Sequence, residues 1–330
     1  MRRHIFLVTM ILMAIFIAAT NSKALAASPA KETITVSVVN FHAIWGDKSA
    51  NLEKMKNFIP QAAEKGTNLL VFPETALTGY EVVDDWGSMQ RKEAEPIPGP
   101  STLEIAKLAK KHNMYIVFGM PERDSLNPSV IYNSAAIITP QGGIDSYRKI
   151  HPYLPENKWC AKGSRPVTFE TPWGLVGVGI CYDTYYFPEL ARIYAIKGAF
   201  LYLNPTVISK KPGRLEYFKT LLGARAQENQ MFVASSNLVG KEVKTTNEGK
   251  SMIIGPCDFS VSAEPILYAL SDAVDEMVTA TLNPRKLDEV RKIVPVFIKN
   301  PLTGTMDLRP EMYWPLVVHP EYKHLRHWRE

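Results

Sequence analysis

Cysteine is scarce in this chain: only Cys160, Cys181 and Cys257 occur in 330 residues. An odd number excludes a framework in which every thiol is paired, so at least one sulfur stays free. A Cys160–Cys257 pair is left open by the sequence, and the cysteine spacings do not resemble a zinc site. Dense basic runs are missing too. Removing Arg2, Arg3 and Lys23 from the formal net charge of +5 leaves about +2, which gives no electrostatic case for nucleic acid. After the first 26 residues no apolar run reaches the roughly 20 residues that a bilayer crossing needs. Repeats and low-complexity segments are absent, and a content of 46% hydrophobic and 22% charged residues allows an ordinary globular domain with a large core.

What is present starts at the N-terminus. Arg2 and Arg3 precede an apolar run from Ile5 to Ala19, then polar Thr20–Lys23, then Ala24-Leu25-Ala26. A basic start, a short greasy stretch and small residues at minus three and minus one fit a secretory signal peptide cut after Ala26. A retained membrane anchor is the alternative, for which the run is short. Export would place the chain in the periplasm of a double-membrane bacterium, or outside a single-membrane one.

Residues 27–32 form a short linker, and 33–293 read as one α/β domain. Strands are predicted at Thr33–Asn40, Asn68–Phe72, Met114–Gly119, Tyr132–Thr139, Ile144–Arg148, Leu175–Ile180, Ala199–Leu203, Met231–Ser236, Ser251–Ile254 and Met277–Leu282. Helices are predicted at Asn51–Lys65, Ser101–His112, Pro188–Lys197, Leu215–Asn229 and Pro284–Ile293. Ser101, with Glu104 three residues on, reads as a helix cap, and Gly142-Gly143 as a hairpin turn. Residues 294–330 read as an irregular tail packed on the domain or on a partner subunit.

Three reactive side chains follow predicted strands, where α/β sheets gather their sites. Glu74 follows Asn68–Pro73, Lys149 follows Ile144–Arg148, and Cys181 follows Gly177–Ile180. Each alone has a bland reading: a loop carboxylate, a solvated cation, an inert core thiol. Together they meet a chemical need. A thiol must lose its proton to become a nucleophile, a cation steadies the thiolate, and an oxyanion needs donors aimed at it.

The segments around these residues resemble the nitrilase superfamily of carbon–nitrogen hydrolases. The likeness runs from about Thr33 to Tyr313. It rests on Phe72-Pro73-Glu74-Thr75-Ala76-Leu77-Thr78-Gly79-Tyr80, Tyr147-Arg148-Lys149-Ile150-His151 and Gly179-Ile180-Cys181-Tyr182-Asp183. Softer matches are Asn204-Pro205-Thr206, Arg225–Asn229, Asn237, Ser251–Pro256, Arg291-Lys292 with Pro295, and Arg309-Pro310-Glu311 with Tyr313. The resemblance implies an αββα sandwich that pairs through its helices into a homodimer or larger homo-oligomer. It also implies Cys181 as nucleophile, Glu74 as proton acceptor and Lys149 as oxyanion stabiliser, with no metal and no cofactor. A small-molecule amide is the implied substrate, attacked through a cysteine thioester. The membrane is implied only through the N-terminal segment, if uncut.

Members often carry a second glutamate after the lysine. Glu156 is the best match, about one residue nearer than in aliphatic amidases. Amidase-type members run C-Y-D-x-x-F-P-E, whereas Cys181–Glu189 holds one extra residue, which puts the pocket wall in question. Nitrile-cleaving relatives follow the cysteine with Trp-Glu, and this chain has Tyr182-Asp183. Carbamoyl-directed relatives carry an arginine in that stretch, and here Tyr185 and Tyr186 stand instead. Tyr182, Tyr185, Tyr153 and Trp159 are candidates for the substrate pocket, with plain packing as their alternative. Rival readings are an N-carbamoyl hydrolase, a nitrilase, an acyltransferase using the same thioester, and a catalytically silent binding protein.

Overall fold

A computed structural model of the chain describes residues 32–81, 87–309 and 312. The segment read above as a signal peptide, the predicted linker before Glu32 and most of the tail beyond Arg309 lie outside the described residues. The described elements begin with β1 (Ile34–Asn40), α1 (Lys48–Glu64), β2 (Leu69–Val71), α2 (Ser88–Glu93), α3 (Pro100–His112), β3 (Tyr115–Arg123), β4 (Ile131–Ile138) and β5 (Ile144–Arg148). A 3-10 turn (Leu154–Lys158) leads to β6 (Val167–Thr171), β7 (Gly174–Val178), α4 (Tyr182–Tyr186), α5 (Pro188–Ile196), β8 (Ala199–Thr206) and α6 (Arg214–Asn229). Then come β9 (Phe232–Asn237), β10 (Val239–Lys241), β11 (Thr246–Glu248), β12 (Met252–Gly255), β13 (Ile266–Leu270), β14 (Glu276–Leu282) and α7 (Lys286–Ile293).

Two six-stranded sheets carry the fold, ordered β14-β1-β2-β3-β4-β5 and β13-β12-β9-β8-β7-β6. Side chains alternate across a strand, so each sheet has two faces to bury. Val36, Val38, Leu69, Val71, Val117 and Ile137 point into a core shared with Val176, Val178, Leu201 and Leu203 of the second sheet. Their neighbours Leu70, Phe72, Ile116, Phe118 and Ile138 face Met55 and Ile59 of α1 and Ile105 and Ala109 of α3. Beyond the second sheet, α5 packs on β7 and β8, and α6 on β9 and β12. The layers therefore run helix, sheet, sheet, helix.

Strand direction places the site. β1, β2 and β3 run parallel, as do β7, β8 and β9. Phe41 and Leu238, each just past its strand, pair in parallel between the sheets. Both parallel triplets thus end on the same side of the domain, and the loops after β2, β7, β8 and β9 share that side.

Several expectations change. Ser101 is inside α3, which starts at Pro100 with Gly99 as its cap; the Ser101 N–H and hydroxyl both donate to Glu95. Proline fills the first helical position because it has no N–H to leave unpaired. Glu104 instead meets Lys56 at 3.1 Å on the surface. The edge strands β6 and β13 and the short β10–β11 hairpin escape the sequence reading because short edge segments carry little periodicity. The turn at Gly142 is as expected, with the Gly142 N–H donating to Thr139 O at 2.9 Å. All three cysteines are free, which answers the open question of a Cys160–Cys257 pair. The described tail from Val294 is irregular, with Phe297 against the core and the Val294 carbonyl accepting from Gln230 Nε2 at 2.6 Å. Among the described residues no helix is long and apolar enough to cross a membrane.

Candidate active site

Glu74 sits in a tight loop after β2. Thr75 adopts a left-handed φ of 46°, and the Gly79 N–H donates to Thr75 O at 2.8 Å. The loop presses on β3 so closely that a Cβ at Gly119 would lie 2.3 Å from Thr75 N and 2.5 Å from Glu74 Cα. Backbone cannot yield as a side-chain tip can. Gly119→Ala should therefore cost about 1–3 kcal/mol in urea denaturation and lower kcat by displacing Glu74. A variant as stable and as active as the parent would remove the argument.

Lys149 is the residue after β5. Its N–H donates to Asn133 O at 2.8 Å and its carbonyl accepts from Gly163 N–H at 2.7 Å, which holds the backbone on both sides. Its side chain is fully buried, and Nζ donates to Glu74 Oε1 at 2.6 Å and to Glu156 Oε1 at 2.8 Å. Asn133 Nδ2 adds a bond to Glu74 Oε1 at 2.8 Å, and the Tyr80 hydroxyl one to Glu156 Oε1 at 2.6 Å. Glu156 lies in the 3-10 turn, where its Oε2 accepts the Tyr153 N–H at 3.1 Å. Buried charges persist only when paired and hydrogen-bonded, and this cluster supplies both. One atom is left over. Glu74 Oε2 is buried with no partner among the described residues.

Cys181 stands at a sharp corner between β7 and α4, with φ 47° and ψ −103°. A non-glycine residue there is strained and must be held by its surroundings. The Cys181 N–H donates to Pro205 O at 2.9 Å and to Asn204 Oδ1 at 3.0 Å. Its sulfur lies 3.6 Å from Val207 O, beside the Thr206 hydroxyl and within electrostatic range of Glu74, Lys149 and Glu156. Tyr182 N–H, the first of α4, donates to none of the described residues.

Burial dominates the acid–base behaviour. It raises the Glu74 carboxyl to about 7, against the opposing pull of Lys149. It raises the Cys181 thiol to about 12, with the Glu74 charge adding and the Lys149 charge opposing. Burial would lower the Lys149 ammonium, but Glu156 and Glu74 outweigh it and hold Lys149 well above its ordinary value. The resting groups are a neutral thiol, a lasting cation and a carboxyl poised near neutrality.

The structure therefore joins Glu74, Lys149 and Glu156 by direct contacts and sets the Cys181 thiol within their electrostatic reach. Tyr153 and Tyr182 pack edge to face with ring centres 5.3 Å apart, and Tyr182 also meets Tyr186 and Phe187. Two pocket candidates fare differently. Tyr185 is buried beneath the corner, its hydroxyl donating to Thr206 Oγ1 at 3.2 Å and accepting from Asn204 Nδ2 at 3.0 Å. Trp159 packs with Ala94, Ile131 and Cys160. Phe187, where α4 meets α5, stacks on His151 with ring centres 3.5 Å apart. Asn133, Tyr80, Thr206 and Asp183 escaped the sequence reading as site residues. Tyr80, Thr206 and Asp183 stand inside the motifs quoted above, a usable signal; Asn133 stands in an apolar strand with none.

The family model described as Carbon-nitrogen hydrolase matches residues 35–292, stopping short of the Arg309–Tyr313 likeness. A Schizosaccharomyces pombe protein named a probable nitrilase is 33% identical over 270 residues, covering 81% of this chain and 92% of its own. The omega-amidase NIT2 of Homo sapiens is 31% identical over 263 residues, covering 76% and 89%. Among solved structures, Saccharomyces cerevisiae Nit3, a member of branch 10 of the nitrilase superfamily, superposes with a TM-score of 0.72 at 28% identity, over 84% of this chain and 100% of that one. An amidase from Nesterenkonia sp. shares the fold at a TM-score of 0.69 and 20% identity, over 89% and 100%. With the family match spanning most of the chain and relatives aligned along nearly all of their own length, this chain belongs to the carbon-nitrogen hydrolase family, the nitrilase superfamily.

Proposed function

We propose that the chain is an exported thiol amidohydrolase that opens the C–N bond of a small amide through a cysteine thioester. The carrying observation is the unpartnered, buried Glu74 Oε2 in a carboxylate whose other oxygen is taken by Lys149 and Asn133. One oxygen anchors the carboxylate, and the other is free to take and return a proton. With the thiol raised to about 12 and Glu74 to about 7, a free thiolate is costly, so the proton moves as sulfur attacks. The new C–S bond turns the carbonyl into an oxyanion, which Lys149 and the unpaired Tyr182 N–H stabilise. Glu74 returns its proton to the departing nitrogen, the C–N bond breaks, and ammonia or an amine leaves. Water then gives Glu74 a proton as it attacks the thioester, and the acid departs as sulfur regains that proton. Glu156 holds Lys149 from its other side throughout.

An amide is favoured over a nitrile by Tyr182-Asp183 after the thiol and by the relative named an omega-amidase, although another relative is named a probable nitrilase. The mature chain should release ammonia and free acid from a panel of small amides. Release from nitriles or carbamoyl compounds alone would redirect the substrate, and an amide or ester formed with an added amine or alcohol would make it a transferase. The pH profile is a second check. Since Glu74 must be ionised to accept the proton, kcat/KM should fall about tenfold per unit below pH 7 and level off above it. A flat profile from about pH 5 to 8 would contradict the role.

Export rests on the N-terminal segment. Chain recovered from outside the cytoplasm should begin at Ala27, and an intact Met1 in a cytoplasmic fraction would refute it. A homo-oligomer is supported by exposed Tyr186, Ile193, Ile196 and Tyr217 on or beside α4, α5 and α6, and light scattering decides it.

A further inference from the structure

Asp183 is fully buried two residues after Cys181 and takes no part in the steps above. Its Oδ2 accepts the Tyr147 hydroxyl at 2.7 Å and the Ile180 N–H at 3.1 Å. Its Oδ1 accepts the His151 N–H at 2.9 Å and lies 2.8 Å from His151 Nδ1. Tyr147 and His151 stand two residues either side of Lys149, while Ile180 directly precedes Cys181. The first pair belongs to the end of β5 in one sheet, and Ile180 to the loop after β7 in the other. One carboxylate therefore ties together the two segments that bear the cation and the thiol.

We infer that Asp183 is a positioning residue that fixes the Lys149 ammonium relative to the Cys181 sulfur by clamping the ends of β5 and β7 to one another. The inference rests on the roles proposed for Cys181 and Lys149. Packing alone could seal this seam. A buried carboxylate facing no permanent cation in direct contact is a poor choice for stability. It is a good choice for geometry, since four contacts from two segments, three of them from defined donors, specify one arrangement. Asp183 also adds to the negative field that keeps Lys149 charged. Phe187 stacks on the His151 ring and holds it beside the carboxylate.

Asp183→Asn tests this. An amide keeps the size but turns one acceptor into a donor, which must then face either the Ile180 N–H or the His151 N–H, and neither can accept. The expected result is a fall in kcat of about 100-fold with KM changed less than about twofold, the signature of displaced catalytic groups. Alkylation of Cys181 by iodoacetamide should slow about tenfold, since the thiol loses its aligned base and cation. Tyr147→Phe, which keeps three of the four contacts, should lose about tenfold in kcat. A lower melting temperature with parental kcat and alkylation rate in Asp183→Asn would reduce Asp183 to a structural role. If that variant does not fold, parental values in Tyr147→Phe overturn the inference instead. Turnover surviving Cys181→Ala sinks the reaction and this inference with it, whereas an inactive Cys181→Ala beside an unimpaired Asp183→Asn sinks the inference alone.

Discussion

Cys181→Ala is expected to lose turnover by about 10⁴-fold or more while the protein stays folded. The sulfur forms the only proposed covalent bond to substrate, and neither Glu74 nor Lys149 can replace it in that step. Structural cost should be small. The corner is held by Cys181 N–H bonds to Pro205 O and Asn204 Oδ1, which alanine keeps. The side chain gives up a long sulfur contact of 3.6 Å to Val207 O and its contact with the Thr206 hydroxyl. Circular dichroism and melting temperature should therefore match the parent, with ammonia release absent. Mass spectrometry of the parent quenched during turnover should show the acyl group on the peptide bearing Cys181. Turnover within about tenfold of the parent in Cys181→Ala would end the assignment.

Lys149→Met is the second large effect, and it falls on both activity and stability. Methionine has a similar length and no charge, so Glu74 and Glu156 would face each other in the interior with no cation between them. Breaking a buried pair by deleting one partner typically costs about 3–5 kcal/mol, and two carboxylates depend on this one ammonium. Turnover should fall at least about 10³-fold with the oxyanion unsupported.

The loss should depend on pH in a stated direction. Burial already raises Glu74 to about 7, and without Lys149 its folded value must rise further. A carboxyl raised in the folded state is stabilising below its unfolded value, and that contribution disappears as pH climbs through the folded one. The stability deficit of Lys149→Met should therefore be larger at pH 8 than at pH 5. Adding Glu156→Gln should recover part of it at pH 8, since one charge replaces two. Urea denaturation at the two pH values reads both expectations. A deficit independent of pH and untouched by Glu156→Gln would mean that Lys149 does not govern these carboxylates.

Some of the site was visible in one dimension. Glu74, Lys149 and Cys181 each follow a run of strand-forming residues, and reactive groups after such runs lie at a sheet edge. The run Phe72-Pro73-Glu74 illustrates this, with Phe72 in the helix-facing core and Glu74 two residues on beside Lys149. Asn133 could not be found this way. It matters because β4 pairs with β5 in the register Ser134↔Arg148, which sets Asn133 opposite Lys149. Tyr185 shows the converse. Its place in the chain suggested a pocket wall, yet α4 turns it inward to Thr206 and Asn204.

From the sequence alone came the alternation of strands and helices, the three reactive side chains and the family they resemble, because periodicity and motif order are properties of neighbours along the chain. The tertiary structure decided which groups meet: that Lys149 is shared by two carboxylates, that Glu74 keeps one oxygen free, and that Asp183 joins the two sheets at the site. Those contacts span separations of 75 residues for Lys149 with Glu74 and 36 for Tyr147 with Asp183. Contacts of that range depend on strand register and on how one sheet packs over the other, neither of which local residue preference specifies.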